Sequence, residues 1–285
     1  MLPTLTPLPT STNTVEVIVT STATWTPFPS ATAIPTVTPT LLPEVFGFGQ
    51  SVEGRNLVAY RLGGGSKVIF LVGGIHTGFE SNTAVLIEQM RAYYEENLGA
   101  ILPSVSLIFV PTLKVDGPEY GRQLRGRFNA NNVDLNRNWG CGWSEAAVFR
   151  NGSVDPGSQP FSEPETTALG SLIQRVRPEA VIFYHSAANG VFAGNCDADS
   201  EVSTPLADVY GQASGYPYGT EFSAYQVTGT APAWADSIGI PAIDVELASA
   251  EATERNRNID ALQAVQVWVE TKPPNCEVRV LTANC

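Results

Sequence analysis

The sequence predicts an α/β layered domain with a largely buried sheet. Two observations point there. Short apolar runs rich in Val, Ile, Leu and Phe recur along the chain, and helix-length stretches fall between them. The runs are nearly unbroken, as in strands covered on both faces.

The elements follow in order. Residues 1–43 are a low-complexity tract of Thr, Pro and Ser with repeated Thr-Pro and Pro-Thr steps. Proline removes amide donors and favours extended backbone, and the tract lacks the apolar surface to fold alone. It is expected to be an extended stalk or linker, open to O-glycosylation, that holds a domain away from a surface. Val15–Val19 is its one strand-like run. Composition changes at Glu44-Val45-Phe46-Gly47, where the domain of residues 44–272 begins. Strands are expected at Leu57–Arg61, Lys67–Val72, Val105–Pro111, Ala180–His185 and Pro241–Leu247. Helices are expected at Asn82–Asn97, Glu163–Arg177 and Glu254–Thr271. Ser162 and Glu165 fit a capping box for the second helix, with Pro164 in its first turn. Residues 273–285 form a tail. In α/β sheets, ligands gather at strand ends.

Composition narrows the function. The net charge of -12 argues against nucleic acid, whose phosphates need clustered Lys and Arg. It also disfavours an anionic membrane surface. No apolar run is long enough for a transmembrane segment. No basic, then apolar, leader follows Met1, so an export signal or lipid anchor would have to lie upstream. The four cysteines, Cys141, Cys196, Cys276 and Cys285, form no CxxC pair. Two disulfides are expected, Cys141–Cys196 tying two loops and Cys276–Cys285 closing the tail, which places the chain in an oxidising, extracytoplasmic setting.

Chemistry concentrates in a few segments. The chain has only two histidines. His76 follows the run Val68–Val72 and a Gly73-Gly74 exit, and Glu80 comes four residues later. His185 ends the run from Ala180. Imidazole nitrogen and carboxylate oxygen are both zinc donors, and catalytic zinc uses three protein ligands. Each residue alone is more often structural. Three of them at strand-to-loop junctions are less easily dismissed. Arg137, in Asn132-Val133-Asp134-Leu135-Asn136-Arg137-Asn138-Trp139, offers a planar fork for a carboxylate, and Asn136 adds an amide donor. Arg122, Arg125 and Arg127 crowd the loop upstream. Asp244 and Glu246 share one face of an apolar strand, where a carboxylate is costly unless paired or functional. Either could be a general base.

Together these segments resemble the M14 zinc carboxypeptidases, the funnelin family, over roughly residues 45–270. The order matches: a His–Glu pair after a strand, an Asn-Arg pair, His-Ser, a tyrosine loop and a strand glutamate. The resemblance implies a three-layer α/β/α fold with a central mixed, mostly parallel twisted sheet. It implies one zinc per chain held by His76, Glu80 and His185. It implies that Asn136 and Arg137 grip the substrate's terminal carboxylate. Tyr225, in Tyr225-Gln226-Val227-Thr228-Gly229-Thr230, would close over the substrate, and Glu246 would be the general acid/base. Arg127, nine residues before Asn136, would stabilise the oxyanion, with Arg122 or Arg125 as alternatives.

Three departures stand out. The family motif is His-x-x-Glu, but Phe79 holds that position and Glu80 comes one later, so the loop must bulge or the helix must start differently. The family's Asn-Pro-Asp-Gly turn reads Lys114-Val115-Asp116-Gly117. Pro232 and Ala233 stand where some digestive members carry a specificity residue, so a preference for basic C-terminal residues is not supported and the substrate's side chain stays open.

The expected function is an extracytoplasmic zinc metallocarboxypeptidase, a monomer acting on peptides or muropeptides with a free C-terminal carboxylate. A murein-peptide amidase cleaving γ-D-glutamyl–diaminopimelate bonds is the alternative within the same chemistry, and an aspartoacylase-type deacylase fits less well. A stalked, non-catalytic peptide-binding module on the same fold is the alternative outside it. A serine hydrolase is disfavoured, since no Gly-x-Ser-x-Gly elbow occurs.

Overall fold

A computed structural model describes residues 43–196 and 201–272. The Thr/Pro tract up to residue 42, Val15–Val19 and the Cys276–Cys285 pairing lie outside the described residues. The strands are β1 (Glu44–Gln50), β2 (Asn56–Leu62), β3 (Lys67–Val72), β4 (Val105–Val110), the two-residue pair β5 (Val148–Phe149) and β6 (Gly152–Ser153), β7 (Ala180–Ser186), β8 (Gly190–Ala193) and β9 (Ala242–Leu247). The helices are α1 (Ser81–Glu96), α2 (Pro164–Val176), α3 (Thr204–Ser214), α4 (Ala231–Ser237) and α5 (Arg255–Thr271). The five expected strands and three expected helices all form, within a residue or two of their expected bounds.

The main sheet has seven strands in the order β1-β2-β4-β3-β7-β9-β8. Its centre, β4-β3-β7-β9, is parallel, and β1, β2 and β8 are antiparallel additions. Side chains alternate between its faces. Ile69, Leu71, Ile182 and Val245 pack with α1, α3 and α5 in one core. Phe70, Val72, Val181 and Phe183 pack with α2 and α4 in the other. Each fully buried side chain of this kind contributes about 1.5–3 kcal/mol. The fold is the expected three-layer α/β/α arrangement with a mixed sheet.

Six of these elements were not expected from the sequence: β1, the two-residue pair β5 and β6, β8, α3 and α4. β1 is a strand despite Gly47 and Gly49. Gly49 packs so tightly on α2 that a Cβ there would stand 2.5 Å from Ala168 Cβ. β8 is only four residues long, and its pairing with β9 defines it. α3 and α4 each open with Pro in the first turn, a start signal that went unread. The capping box is also corrected. Glu163, not Ser162, is the N-cap of α2, and it makes no side-chain cap bond. Asn138 supplies the anchor instead. Its Oδ1 accepts from the Glu163 amide at 3.2 Å and from Thr166 Oγ1 at 2.6 Å. A long-range amide displaced the local motif.

Two features hold the frame. Cys141 and Cys196 are joined as a disulfide, the expected pairing. Lys67, buried at the start of β3, donates to the carbonyls of Val269, Glu270 and Lys272 at 2.9, 2.8 and 2.6 Å. Its three N–H groups thereby satisfy the open end of α5, where a cation is also favoured by the helix dipole. Lys67→Met is therefore expected to destabilise the domain by about 1–3 kcal/mol, read from the midpoint of urea unfolding. An unchanged midpoint would count against this cap.

Candidate functional site

β3 and β7 are parallel neighbours whose onward connections leave in opposite directions, toward β4 and toward β9. A crevice opens outside the carboxyl ends of strands at such a point. The loops after β3, β4 and β7 and the end of β9 converge on it, around a cleft of about 530 Å³.

The turn after β3 explains the irregular His–Glu spacing. The Glu80 amide donates to the His76 carbonyl at 2.9 Å, closing one helical turn. Gly78, at φ +103°, supplies a backbone geometry that disfavours any side chain. Helix α1 starts only at Ser81, with Glu80 as its N-cap residue. Residues four apart in such a turn share a face. The Glu80 carboxylate therefore lies 3.2 Å from His76 Nδ1. Phe79 turns away and meets Phe149 edge-on at 5.6 Å. The later helix start, one of the two expected solutions, is the one observed.

His185 brings the third donor from β7, its Nδ1 2.9 Å from Glu80. His76, Glu80 and His185 are buried, and one donor atom from each lies within 4.8 Å of the others. His76 Nδ1 is buried without a hydrogen bond. An orphaned nitrogen beside a carboxylate and a second imidazole is the donor set of a catalytic zinc site. Burial alone would raise the Glu80 carboxyl, but His76 and His185 hold it well below the ordinary carboxylate range, ready to ligate. The outer ring nitrogens face carboxylates: His76 Nε2 lies 2.9 Å from Asp134, and His185 Nε2 3.3 Å from Asp244. Such pairs fix the ring orientation of metal ligands.

The loop after β4 supplies the cations. Arg127 is buried, with Nε donating to Asp134 at 2.7 Å and Nη1 to Glu80 at 3.3 Å. Its guanidinium lies 3.9 Å above the Phe149 ring. Arg122 instead pairs with Glu251 at the surface, and Arg125 reaches Asn132 and Tyr120. Of the three arginines, only Arg127 lines the cleft. Asp134 is fully buried. Desolvation pushes its pKa up, but Arg127 and His76 hold it well below the usual value.

Asn136 and Arg137 follow in a short turn held by the Asn136 amide on Asp134, at 3.0 Å. Asn136 Oδ1 accepts from the Ala231 amide at 2.9 Å, and its Nδ2 lies 3.3 Å from His185 Nε2. Arg137 donates to the carbonyls of Val148 and Asn136. These bonds fix its fork and leave N–H groups toward the cleft it lines. Tyr225 also lines the cleft, edge-on to Phe149 at 5.8 Å and to Phe222 at 4.9 Å.

Glu246 projects from β9, paired in register with His185. Burial raises its carboxyl to about 7, while the nearby His185 opposes the rise. Its Oε2 accepts from the Ala188 amide at 3.1 Å. A carboxyl poised there can take and return a proton near neutral pH. A cation at the His–Glu–His cluster would favour its ionised form.

The structure thus gathers all eight sequence-nominated residues: His76, Glu80, His185, Arg127, Asn136, Arg137, Tyr225 and Glu246. The altered Lys114–Gly117 turn is also formed. Buried Asp116 accepts from Ser51 Oγ at 2.9 Å and from the Glu53 amide at 3.1 Å, and Lys114 Nζ donates to the Asp116 carbonyl at 2.7 Å. Asp134 and Phe149 were missed as site residues. Asp134 lay inside the recognised Asp-Leu-Asn-Arg-Asn run and could have been found. Nothing in the sequence marks Phe149.

The comparisons agree with this geometry. A family model described as zinc carboxypeptidase matches residues 38–266. Murein peptide amidase A of Escherichia coli (strain K12) is 34% identical over 148 residues, 47% of this chain and 58% of that protein. Zinc carboxypeptidase A 1 of Anopheles gambiae is 25% identical over 223 residues, 67% of this chain and 51% of that protein. The chain thus spans only part of the length of these relatives. The crystal structure of a murein-tripeptide amidase from Escherichia coli O157 matches in fold, with a TM-score of 0.58 at 22% identity, covering 83% of this chain and 96% of that one.

Asp134 generates the first test of the metal centre. Asp134→Asn is expected to weaken zinc affinity by roughly 10- to 100-fold, as loss of an outer partner of a ligating histidine does. Competition with a chromogenic chelator measures it. Unchanged affinity would show that Asp134 serves Arg127 alone.

Proposed function

Since this chain belongs to the zinc carboxypeptidase family, a family of peptide hydrolases, we propose that it is an extracytoplasmic metallocarboxypeptidase. It removes C-terminal residues from peptides that carry a free carboxylate. The Cys141–Cys196 disulfide supports an oxidising location. The Thr/Pro tract of residues 1–43 would serve as the stalk, and the domain would act as a monomer.

One observation carries the reading. Glu246 and the pair Asn136–Arg137 line the same cleft as the His76–Glu80–His185 cluster. On this reading a proton acceptor, a carboxylate grip and a metal centre surround one substrate-sized space. A non-catalytic binding module would have no need of the half-buried Glu246.

Each side chain then has a task. Arg137, pre-set by the carbonyls of Val148 and Asn136, takes the terminal carboxylate with a planar fork, and Asn136 adds an amide. Tyr225 closes the outer wall against water, resting on Phe149 and Phe222. Zinc, when bound, supplies Lewis acidity to the scissile carbonyl and lowers the pKa of water. Glu246 accepts the proton of the attacking water and returns it to the leaving amine. Arg127 faces the carbonyl oxygen as negative charge develops there. Because Asp134 and Glu80 already neutralise Arg127, it can stay buried before substrate arrives.

A murein-peptide amidase is the second reading, favoured by the 34% identity to murein peptide amidase A. Both substrates present a free carboxylate beside a scissile amide, so the same residues would serve.

A C-terminal peptide library that includes a muropeptide, assayed with and without chelator, tests both. Glu246→Gln is expected to slow hydrolysis by about 10²- to 10⁴-fold while zinc content stays unchanged. Full activity in that variant would refute the assigned base. Peptides amidated at the C-terminus are expected to lose most kcat/KM, and Arg137→Ala to erase the difference between free and amidated peptides.

A further inference from the structure

Resting on the reading above, we propose that Phe149 is a positioning residue for the reaction and that it acts through Arg127. The ring holds the guanidinium in place and keeps water off one face of it. The charge of Arg127 is then felt most by the carbonyl oxygen as the transition state forms.

The argument starts from the β5–β6 hairpin. Val148 pairs with Ser153 and Phe149 with Gly152, and Arg150 turns the chain at φ +55°. So short a strand pair has little stability of its own. Two anchors fix it. Phe128, Ala147 and Val154 form a small separate core, and Phe149 packs against it. The Val148 carbonyl accepts from Nε and Nη2 of Arg137, both at 3.1 Å. The hairpin is thus tied to the residue that grips the terminal carboxylate.

From that position the Phe149 ring meets Arg127. The guanidinium carbon lies over the ring, 3.9 Å from its centroid. Tyr225 meets the same ring edge-on at 5.8 Å, and Phe79 edge-on at 5.6 Å. Phe79 stands where the family motif has its glutamate. The shift that moves the carboxylate to Glu80 leaves Phe79 free to brace Phe149. Arg150 also lies over the ring, at 5.0 Å, but it is exposed, so its contact is weaker.

A ring suits this place better than another polar partner. Asp134 and Glu80 take the Nε and Nη1 groups of Arg127. Those bonds lie in the guanidinium plane and leave Nη2 for the cleft that Arg127 lines. The faces of the planar group carry no donor. An aromatic face attracts a cation, most strongly where water is excluded. It neutralises none of the charge and occupies no N–H group. A cation shielded from water also acts more strongly on an oxyanion beside it. The benefit falls on the transition state, where the oxygen is charged, and little on the bound peptide, where it is not.

The test reads binding apart from turnover. Zinc-loaded Glu246→Gln protein is titrated calorimetrically with two ligands. One is the N-acylated dipeptide that the unaltered protein cleaves best. The other is its phosphonate analogue, whose charged oxygens stand where the oxyanion would. Adding Phe149→Leu or Phe149→Met, which keep apolar bulk without the ring, is expected to weaken the phosphonate by about 3- to 30-fold and the peptide by less than about twofold. Adding Phe149→Tyr, which keeps the ring, should restore phosphonate affinity. Zinc content is expected to stay the same throughout. In an Arg127→Ala background, Phe149→Leu should weaken neither ligand further. An equal loss for both ligands overturns the proposal, since it marks a wall residue acting through Tyr225. So does an unchanged phosphonate affinity in both ring-less variants, a Tyr variant no better than they are, or a loss that persists without Arg127. Each of these results leaves the carboxypeptidase reading standing. Binding of neither ligand by the Glu246→Gln protein removes that reading and this proposal together.

Discussion

One buried carboxylate ties the cleft together. Asp134 meets His76 Nε2 at 2.9 Å and Arg127 Nε at 2.7 Å, and it accepts the Asn136 amide at 3.0 Å. A metal ligand, the cation proposed to face the oxyanion and the turn that presents Arg137 therefore share a single anchor. A lone ion at that depth would be prohibitive, and the Arg127 guanidinium, with hydrogen bonds from His76 and the Asn136 amide, makes it tolerable. Removing Asp134 would leave Arg127 buried with only Glu80 to balance it. Groups that must cooperate within a few ångströms are thus held in mutual register before any substrate arrives.

The sheet supplies the other half of that register. β7 and β9 are parallel neighbours, and His185 pairs with Glu246 across them. The pleat that sends Phe183 into the core also sends His185 to the cleft two residues later. Packing on both sheet faces makes this platform stiff. The loop after β4 then drapes over the strand ends. It is pinned by Trp139 among Phe161, Phe183 and Trp234, and by the Cys141–Cys196 bridge. Phe149 completes the arrangement as a ring touching Phe79, Arg127 and Tyr225.

Much of this was legible in one dimension, and the limits have physical causes. The strands with unbroken apolar runs were readable because burial on both faces leaves a strong compositional trace. β1 was not, since Gly47 and Gly49 lower its strand propensity, and Gly49 is there for close approach to α2. The Ser162–Glu165 pattern was a sound local inference that lost to Asn138, a residue distant in sequence that takes the Glu163 amide and the Thr166 hydroxyl. The choice among Arg122, Arg125 and Arg127 could not be made from sequence, because three nearby arginines differ only in where the loop folds.

The sequence by itself determined the chemistry on offer: two histidines at strand ends, an Asp-Leu-Asn-Arg-Asn run and a glutamate in an apolar strand. Those are matters of residue type and spacing, and they survive without coordinates. Only the tertiary structure decided how a glutamate four residues after His76 reaches His185. An i-to-i+4 turn with Gly78 at positive φ, followed by a late helix start, brings the three donors together. It alone placed Asp244 in the cleft, because the strand it sits on is aligned there by pairing with β7 and β8. Contacts between residues scores of positions apart depend on how loops close over the sheet, and that is set by packing rather than by any local pattern.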